Sequence, residues 1–307
     1  MKSNIFTADL SLNKKILSIH NFAHILKPIS LLSKSIKSLR LSTQNPQTIF
    51  LAYHSISRYR DRIKNFHYTI SPKLFKAQMK YMYDNNFNII NLSEWYRLRT
   101  KHDNSLNRSI VLTFDDGYAD SFYYAYPILK KYGFSATFFL ICNFINSRNI
   151  FPWLQESKFP DAENLPLSSE QIIQMDKDGM DFGSHTFSHK DLTQISSKEA
   201  WAEIRGSKEY IEDLLGHNIL SFSYPYGSWS NFNVSTTEII KKAGYKLAVT
   251  SLYGSNSFHT DLLSLKRIPI YANDNLKKYV MKCQGHYNWI GYLQKLMFSA
   301  SNLLKQH

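Results

Sequence analysis

Two hydrophobic rhythms run along the chain. From Thr48 onward, short apolar runs (TIFLAYH, FNIINL, SIVLTF, ATFFLI, MDFGSH, LSFSYP, KLAVTS, LKRIPIY) alternate with stretches whose apolar residues recur every three or four positions. The runs read as strands. The periodic stretches read as helices over 71–85, 119–132, 168–177, 198–215 and 236–243. Ser71 and Pro72 give the first helix an N-cap and a first-turn proline. Strands alternating with helices, about eight of each at most, predict a parallel α/β sheet or barrel, a fold in which chemistry collects at the carboxyl ends of the strands.

The ends of the chain follow another pattern. Leu12, Ile16, Ile19, Phe22 and Leu26 hold helical spacing; Pro28 interrupts it, and Ile29, Leu32, Ile36 and Leu39 resume it, with Lys34, Lys37 and Arg40 between them. The pattern predicts two short amphipathic helices, suited either to packing on the main domain or to lying on a membrane surface. The division expected is a basic helical extension over 1–47, a catalytic domain over 48–275 and a basic helical extension over 276–307. Charge sharpens it. Of the net +13, residues 1–44 carry +6 and residues 277–307 carry +5, so the body is nearly neutral. Basic ends suit an anionic partner or plain solvation. Cys142 and Cys283 make no disulfide framework. No apolar run reaches the roughly 18 residues of a spanning helix, and MKSNIFTADLSLNKK lacks the apolar core of a secretory signal.

Chemistry concentrates where the strands end. His54 follows the first strand; Asp115 and Asp116 follow SIVLTF; His185 follows MDFGS, with His189 four residues on; YPYG follows LSFS. Two histidines at i and i+4 are expected on one face of a helical turn, within reach of one metal ion. Zinc proteases use that spacing in H-E-x-x-H, but Thr186 stands where their glutamate would be. The adjacent aspartates supply what is missing: one carboxylate completes a His-His-Asp metal site and the other is left to take a proton from water. A cation also relieves the repulsion between two neighbouring acids.

The sequence resembles the polysaccharide deacetylase family, the metal-dependent carbohydrate esterases with a chitooligosaccharide-deacetylase homology domain. Its T-F-D-D-G motif is matched at Thr113 to Gly117, its H-[S/T]-x-x-H motif at His185 to His189, and the end of its third motif at Pro225 to Gly227; the likeness runs over about residues 48–270. It implies a distorted (β/α) barrel of about seven or eight strands. It also implies a divalent metal, usually zinc, on Asp116, His185 and His189, with Asp115 as general base. Pro225 and Tyr226 would face the substrate, the Tyr226 N–H stabilising an oxyanion.

Two departures narrow the resemblance. Ser223 stands where the third motif commonly begins with arginine, and LKRIPI lacks the histidine that commonly serves as general acid. This pattern is similar to the branch acting on poly-N-acetylglucosamine, in which a YH after the first strand belongs to the site; FLAYHSIS matches it and makes His54 the candidate acid. The expectation is a metal-dependent N-deacetylase of an N-acetylated glycan or lipid-linked sugar, in the cytoplasm at the inner face of a bacterial membrane, in peripheral contact with anionic lipid. The rivals are a silent glycan-binding relative, a metalloprotease, which Thr186 disfavours, and a nucleic-acid binder. Charge confined to the ends, with no recognisable nucleic-acid motif, speaks against the last.

Overall fold

The computed structural model describes residues 47–58, 67–106, 109–149, 151–154, 163 and 165–304. The helical extension expected over 1–47 lies outside the described residues, Gln47 excepted.

The strands are β1 (Thr48–Tyr53), β2 (Ser55–Ile56), β3 (Thr69–Ile70), β4 (Asn88–Ile90), β5 (Ser109–Phe114), β6 (Thr137–Leu140), β7 (Asp181–Ser184), β8 (Ser221–Ser223), β9 (Leu247–Val249), β10 (Ser255–Asn256) and β11 (Ile268–Pro269). Strands β1, β5, β6, β7, β8 and β9 pair in that order, all parallel. Leu265 bridges Val249, and Ile268 pairs with Leu51, so residues 265–269 span the gap between last strand and first. Among the described residues this is a seven-membered distorted barrel. β4 pairs beside β5, and the one antiparallel neighbour, β10, pairs with the start of β1.

The helices are α1 (Pro72–Asp84), α2 (Leu92–Thr100), α3 (Tyr126–Tyr132), α4 (Ser169–Lys177), α5 (Ser197–Leu215), α6 (Val234–Lys242), α7 (Leu276–Cys283) and α8 (Trp289–Leu304). The Ser71 oxygen accepts from the Leu74 N–H at the head of α1, and α4, α5 and α6 begin with reciprocal capping boxes. The helix expected over 119–132 opens instead with a wide π-type turn, Ser121–Ala125.

Strands buried on both faces explain the runs of β-branched and aromatic residues. Ile49, Leu51, Tyr53, Ile110, Leu112 and Phe114 point outward and join the helices in the main core; Phe50, Val111, Phe139, Leu247 and Leu265 pack together in a second cluster with Trp95 of α2. Tyr53, Phe114 and Phe138 stack across adjacent strands, with centroids 5.1 and 4.7 Å apart. The C-terminal residues are continuous with this core: Tyr279 and Cys283 of α7 and Ile290 of α8 are buried in it.

Gly183 of β7 sits where the barrel wall leaves no space. A Cβ there would lie 2.5 Å from Ser221 Oγ and 2.6 Å from the Phe139 ring. Gly183→Ala is expected to lower stability by about 1–3 kcal/mol, the usual cost of overpacking. An unchanged melting temperature would show slack between β6 and β8.

Candidate metal and catalytic site

Side chains alternate along a strand, so the residue after each strand inherits a defined face. Register aligns Tyr53 with Phe114, and the Asp115 N–H donates to Tyr53 O at 3.0 Å, which sets His54 beside Asp115. On the other side His185 follows Ser184, its N–H donating to Leu140 O at 2.8 Å. Its Nδ1 lies 2.8 Å from Ser223 O, which as an acceptor fixes Nδ1–H and leaves Nε2 with a free lone pair.

Asp116 should point away from Asp115 if the strand continued. It does not continue: Asp116 has φ +74°. The left-handed turn brings its carboxylate to the same mouth, with Oδ1 3.6 Å from His185 Nε2 and 3.8 Å from His189 Nε2. These separations are too long for hydrogen bonds. They approach the roughly 3.3 Å between ligands held tetrahedrally at about 2.0–2.1 Å from a common zinc-like centre. The ligand atoms of Asp116, His185 and His189 all lie within 4.8 Å of one another.

The expected helical turn at HTFSH is absent. Residues 185–190 form a loop, in which Thr186 and His189 both take left-handed backbone, with φ of +68° and +62°. Thr186 Oγ1 accepts from the His189 N–H at 2.8 Å, and Glu203 of α5 accepts from both the N–H and the hydroxyl of Ser188. The rings converge, with centroids 4.8 Å apart, because side-chain caps close this loop. Tyr226 also has positive φ, +63°. Four of the seven non-glycine residues with left-handed backbone among those described therefore surround this mouth, strain of the kind that collects at functional sites.

The electrostatics separate the two aspartates. Burial and the neighbouring Asp115 push the Asp116 carboxyl well above the usual carboxylate range. Burial acts on Asp115 in the same sense, but the Arg267 guanidinium, the His185 ring and the hydrogen bonds from Arg267 outweigh it and hold Asp115 below its ordinary value. Burial lowers His185, and it lowers His189 further, helped by the adjacent His185 ring. Neutral imidazoles and one carboxylate that stays charged only beside a cation form a donor set that fits a divalent ion.

Comparison with known proteins now decides the family. The polysaccharide deacetylase family model matches residues 102–248. A solved structure, the Streptococcus pyogenes deacetylase PplD in complex with acetate, is 30% identical and superposes with a TM-score of 0.67, covering 78% of this chain and 99% of that one. The chain belongs to the polysaccharide deacetylase family. It is thus a hydrolase of the carbohydrate deacetylase class, in a family that depends on metal. A Bacillus subtilis protein named for the same family, YxkH, is 28% identical over 231 residues, 75% of this chain and 74% of its own. The poly-β-1,6-N-acetyl-D-glucosamine N-deacetylase of Staphylococcus epidermidis is 27% identical over 256 residues, 80% of this chain and 81% of its own.

This polysaccharide deacetylase fills the place of the missing third-motif arginine from another strand. Arg267, one residue before β11, is 1% exposed. Its two terminal nitrogens each donate to one Asp115 oxygen at 2.7 Å. Ser223 Oγ accepts from Arg267 at 3.1 Å and Thr113 Oγ1 at 3.2 Å, while Nε donates to Thr250 O at 2.9 Å. Ser223 thus leaves room for an arginine arriving from 44 residues further along the chain. The only sign in the sequence is a lone arginine inside the apolar run LKRIPI.

Other supports were equally hidden. Tyr118 hydrogen-bonds the Asp116 carboxylate and accepts from Trp153 Nε1 at 2.6 Å. Trp153 stands against His189, ring centroids 5.2 Å apart, so the turn Pro152–Leu154 reaches the mouth. Asp120 is buried and its carboxyl is pushed up to about 7, by burial first; it accepts from Ser55 Oγ at 2.5 Å and so ties the chain just after His54 to the turn that follows the aspartates. His54 is half-buried and stacks on Tyr68 at 4.4 Å, and burial lowers its pKa to about 4. Pro225 is buried, and the Tyr226 ring lies 5.1 Å from that of His189. Gly227, with φ +61°, passes so close to Ser251 that a Cβ would lie 2.7 Å from its backbone nitrogen.

Proposed function

We propose that the protein is a zinc-dependent N-deacetylase that removes acetyl from N-acetylated glucosamine units of a bacterial surface glycan or its lipid-linked precursor. The observation that carries this reading is one geometry: an aspartate kept ionised by a buried bidentate arginine, next to an Asp-His-His cluster with the spacing of metal ligands. The substrate class rests on the likeness to the Staphylococcus epidermidis enzyme and on the resemblance of FLAYHSIS and SYPYG to the motifs of that branch.

A divalent ion on Asp116, His185 and His189 would polarise the amide carbonyl and lower the pKa of water. Asp115 accepts the proton of the attacking water. Arg267 holds both Asp115 oxygens, which fixes the carboxylate's direction and keeps it unprotonated before the reaction. The oxygen–carbon bond forms, the carbon–nitrogen bond breaks, and the leaving nitrogen takes one proton, which balances the one lost by water. His54 delivers that proton. It is neutral at rest, so it first takes up the proton that Asp115 accepted from water, as negative charge builds on the acyl oxygen, and then passes it to the leaving nitrogen, which returns both residues to their resting state. The Tyr226 N–H, at the turn beside His189, is the donor for that oxygen.

His189→Ala should bind zinc at least tenfold more weakly and release no acetate, while Tyr226→Ala, which keeps the backbone donor, should retain zinc. Metal content by atomic absorption and acetate release from N-acetylglucosamine oligomers read both. Full activity in His189→Ala would remove the metal site from the account.

A further inference from the structure

α8 runs along the barrel wall, from Ser255 beside the start of β1, to which Asn288 donates, to the rim of the catalytic mouth. Ser251 and Tyr253 follow β9 at the carboxyl end of the barrel, and the Ser251 N–H donates to Gly227 O, next to Tyr226. From the same segment the Tyr253 N–H donates to Gln294 Oε1 of α8 at 2.9 Å. A Cβ at Gly291 would lie 2.1 Å from Tyr253 O, so only glycine lets the helix come this close. Further along, Phe298 stacks with Trp229, which lies just after the YPYG turn, at 6.0 Å.

The opposite side of α8 has no such use. Trp289 is 41% exposed, Tyr292 75%, Leu296 65% and Met297 39%. Spacings of three and four set Trp289, Tyr292 and Leu296 in one stripe along the helix, with Met297 to one side of it. Lys295 is exposed beside it, and Lys277 is exposed at the head of α7; Lys282 is buried and paired with Asp274. Among the described residues no helix is long and apolar enough to cross a membrane. At 16 residues, α8 is about 24 Å long, short of a bilayer's hydrocarbon core.

We propose that α8 lies flat on an anionic phospholipid surface. Trp289 and Tyr292 suit the headgroup boundary, Leu296 the acyl region beneath it, and the exposed Lys295 the anionic headgroups. The exposed Leu296 distinguishes this occupant from a glycan: it offers a sugar neither a hydrogen-bond partner nor an aromatic face. The docking itself does not depend on the substrate. Only its use, presenting a membrane-proximal glycan to Asp115, rests on the proposed function.

The test is sedimentation of the full chain with vesicles of phosphatidylcholine alone or doped with phosphatidylglycerol. The wild type should bind the doped vesicles, less so in high salt. Tyr292→Glu/Leu296→Glu should bind them at least about tenfold more weakly, since each leucine-sized burial is worth more than that factor. It should keep wild-type acetate release from a soluble N-acetylated oligosaccharide, which separates failed docking from failed catalysis. Quenching of Trp289 fluorescence by brominated lipid, with Trp289→Phe as the blank, places the helix in the interface. Equal binding of the double variant and the wild type would overturn the proposal, by assigning attachment to another part of the chain such as residues 1–46. So would absence of binding by the wild type, or loss of oligosaccharide affinity in the double variant with vesicle binding intact, which would make the stripe a glycan platform.

Discussion

Asp115→Asn is expected to bind metal as the wild type does and to lose turnover by about 10²–10⁴-fold, the usual contribution of a positioned general base. The reason is the division of labour between neighbouring carboxylates. Asp116 turns out of the strand through a left-handed backbone to join His185 and His189, while Asp115 keeps the strand direction and meets Arg267. An asparagine at 115 fits the same volume but cannot accept a proton from water. It also leaves the Asp116, His185 and His189 donors unchanged, so metal content by atomic absorption should match the wild type. Zinc loss from this variant would mean that the roles of the two aspartates are reversed.

Removing Arg267 should damage folding and catalysis together. A buried charge deprived of its partner typically costs about 3–5 kcal/mol, and Asp115 is 4% exposed. Arg267→Met should therefore lower the denaturation midpoint markedly at neutral pH. The pH dependence has a defined sign. The Asp115 carboxyl is lowered in the folded state, so its contribution is present above its unfolded pKa of about 4 and is lost as pH falls below that. The difference between wild type and Arg267→Met should shrink in the same window. In Arg267→Lys, a single charge replaces the two-point grip: stability should return in part, and the acid limb of kcat/KM should move to higher pH because Asp115 is less strongly held. An acid limb unmoved in both variants would limit Arg267 to structural support.

Most of the fold could be read from the sequence because burial on both faces leaves a plain signal. SIVLTF and ATFFLI are strands where they were expected, and the helices over 168–177 and 198–215 fall within a residue of their expected bounds. The brief antiparallel β10 gave no such signal, since two residues carry no periodicity. The candidate site residues at strand ends stood out for the same reason, as polar side chains interrupting apolar runs, and Asp116, His185 and His189 do lie together. What supports them did not stand out. The HTFSH loop has the spacing of a helical turn, but Thr186 and Ser188 bind nearby groups and close a loop instead, an outcome set by Glu203 on a distant helix. Arg267 reaches Asp115 across 152 residues of sequence, and only the closing of the barrel brings them together. Trp153 and Tyr118 are likewise joined only by tertiary packing.

The most direct test of the account is acetate release from poly-β-1,6-N-acetylglucosamine oligomers and lipid-linked N-acetylated sugars, with and without a chelator. Wild-type protein should release acetate from one of these substrates, stop when zinc is stripped and resume when zinc is restored. Asp115→Asn should stay inactive with zinc bound. Acetate release unaffected by metal removal, or binding of these sugars with no acetate released at any zinc concentration, would contradict the assignment.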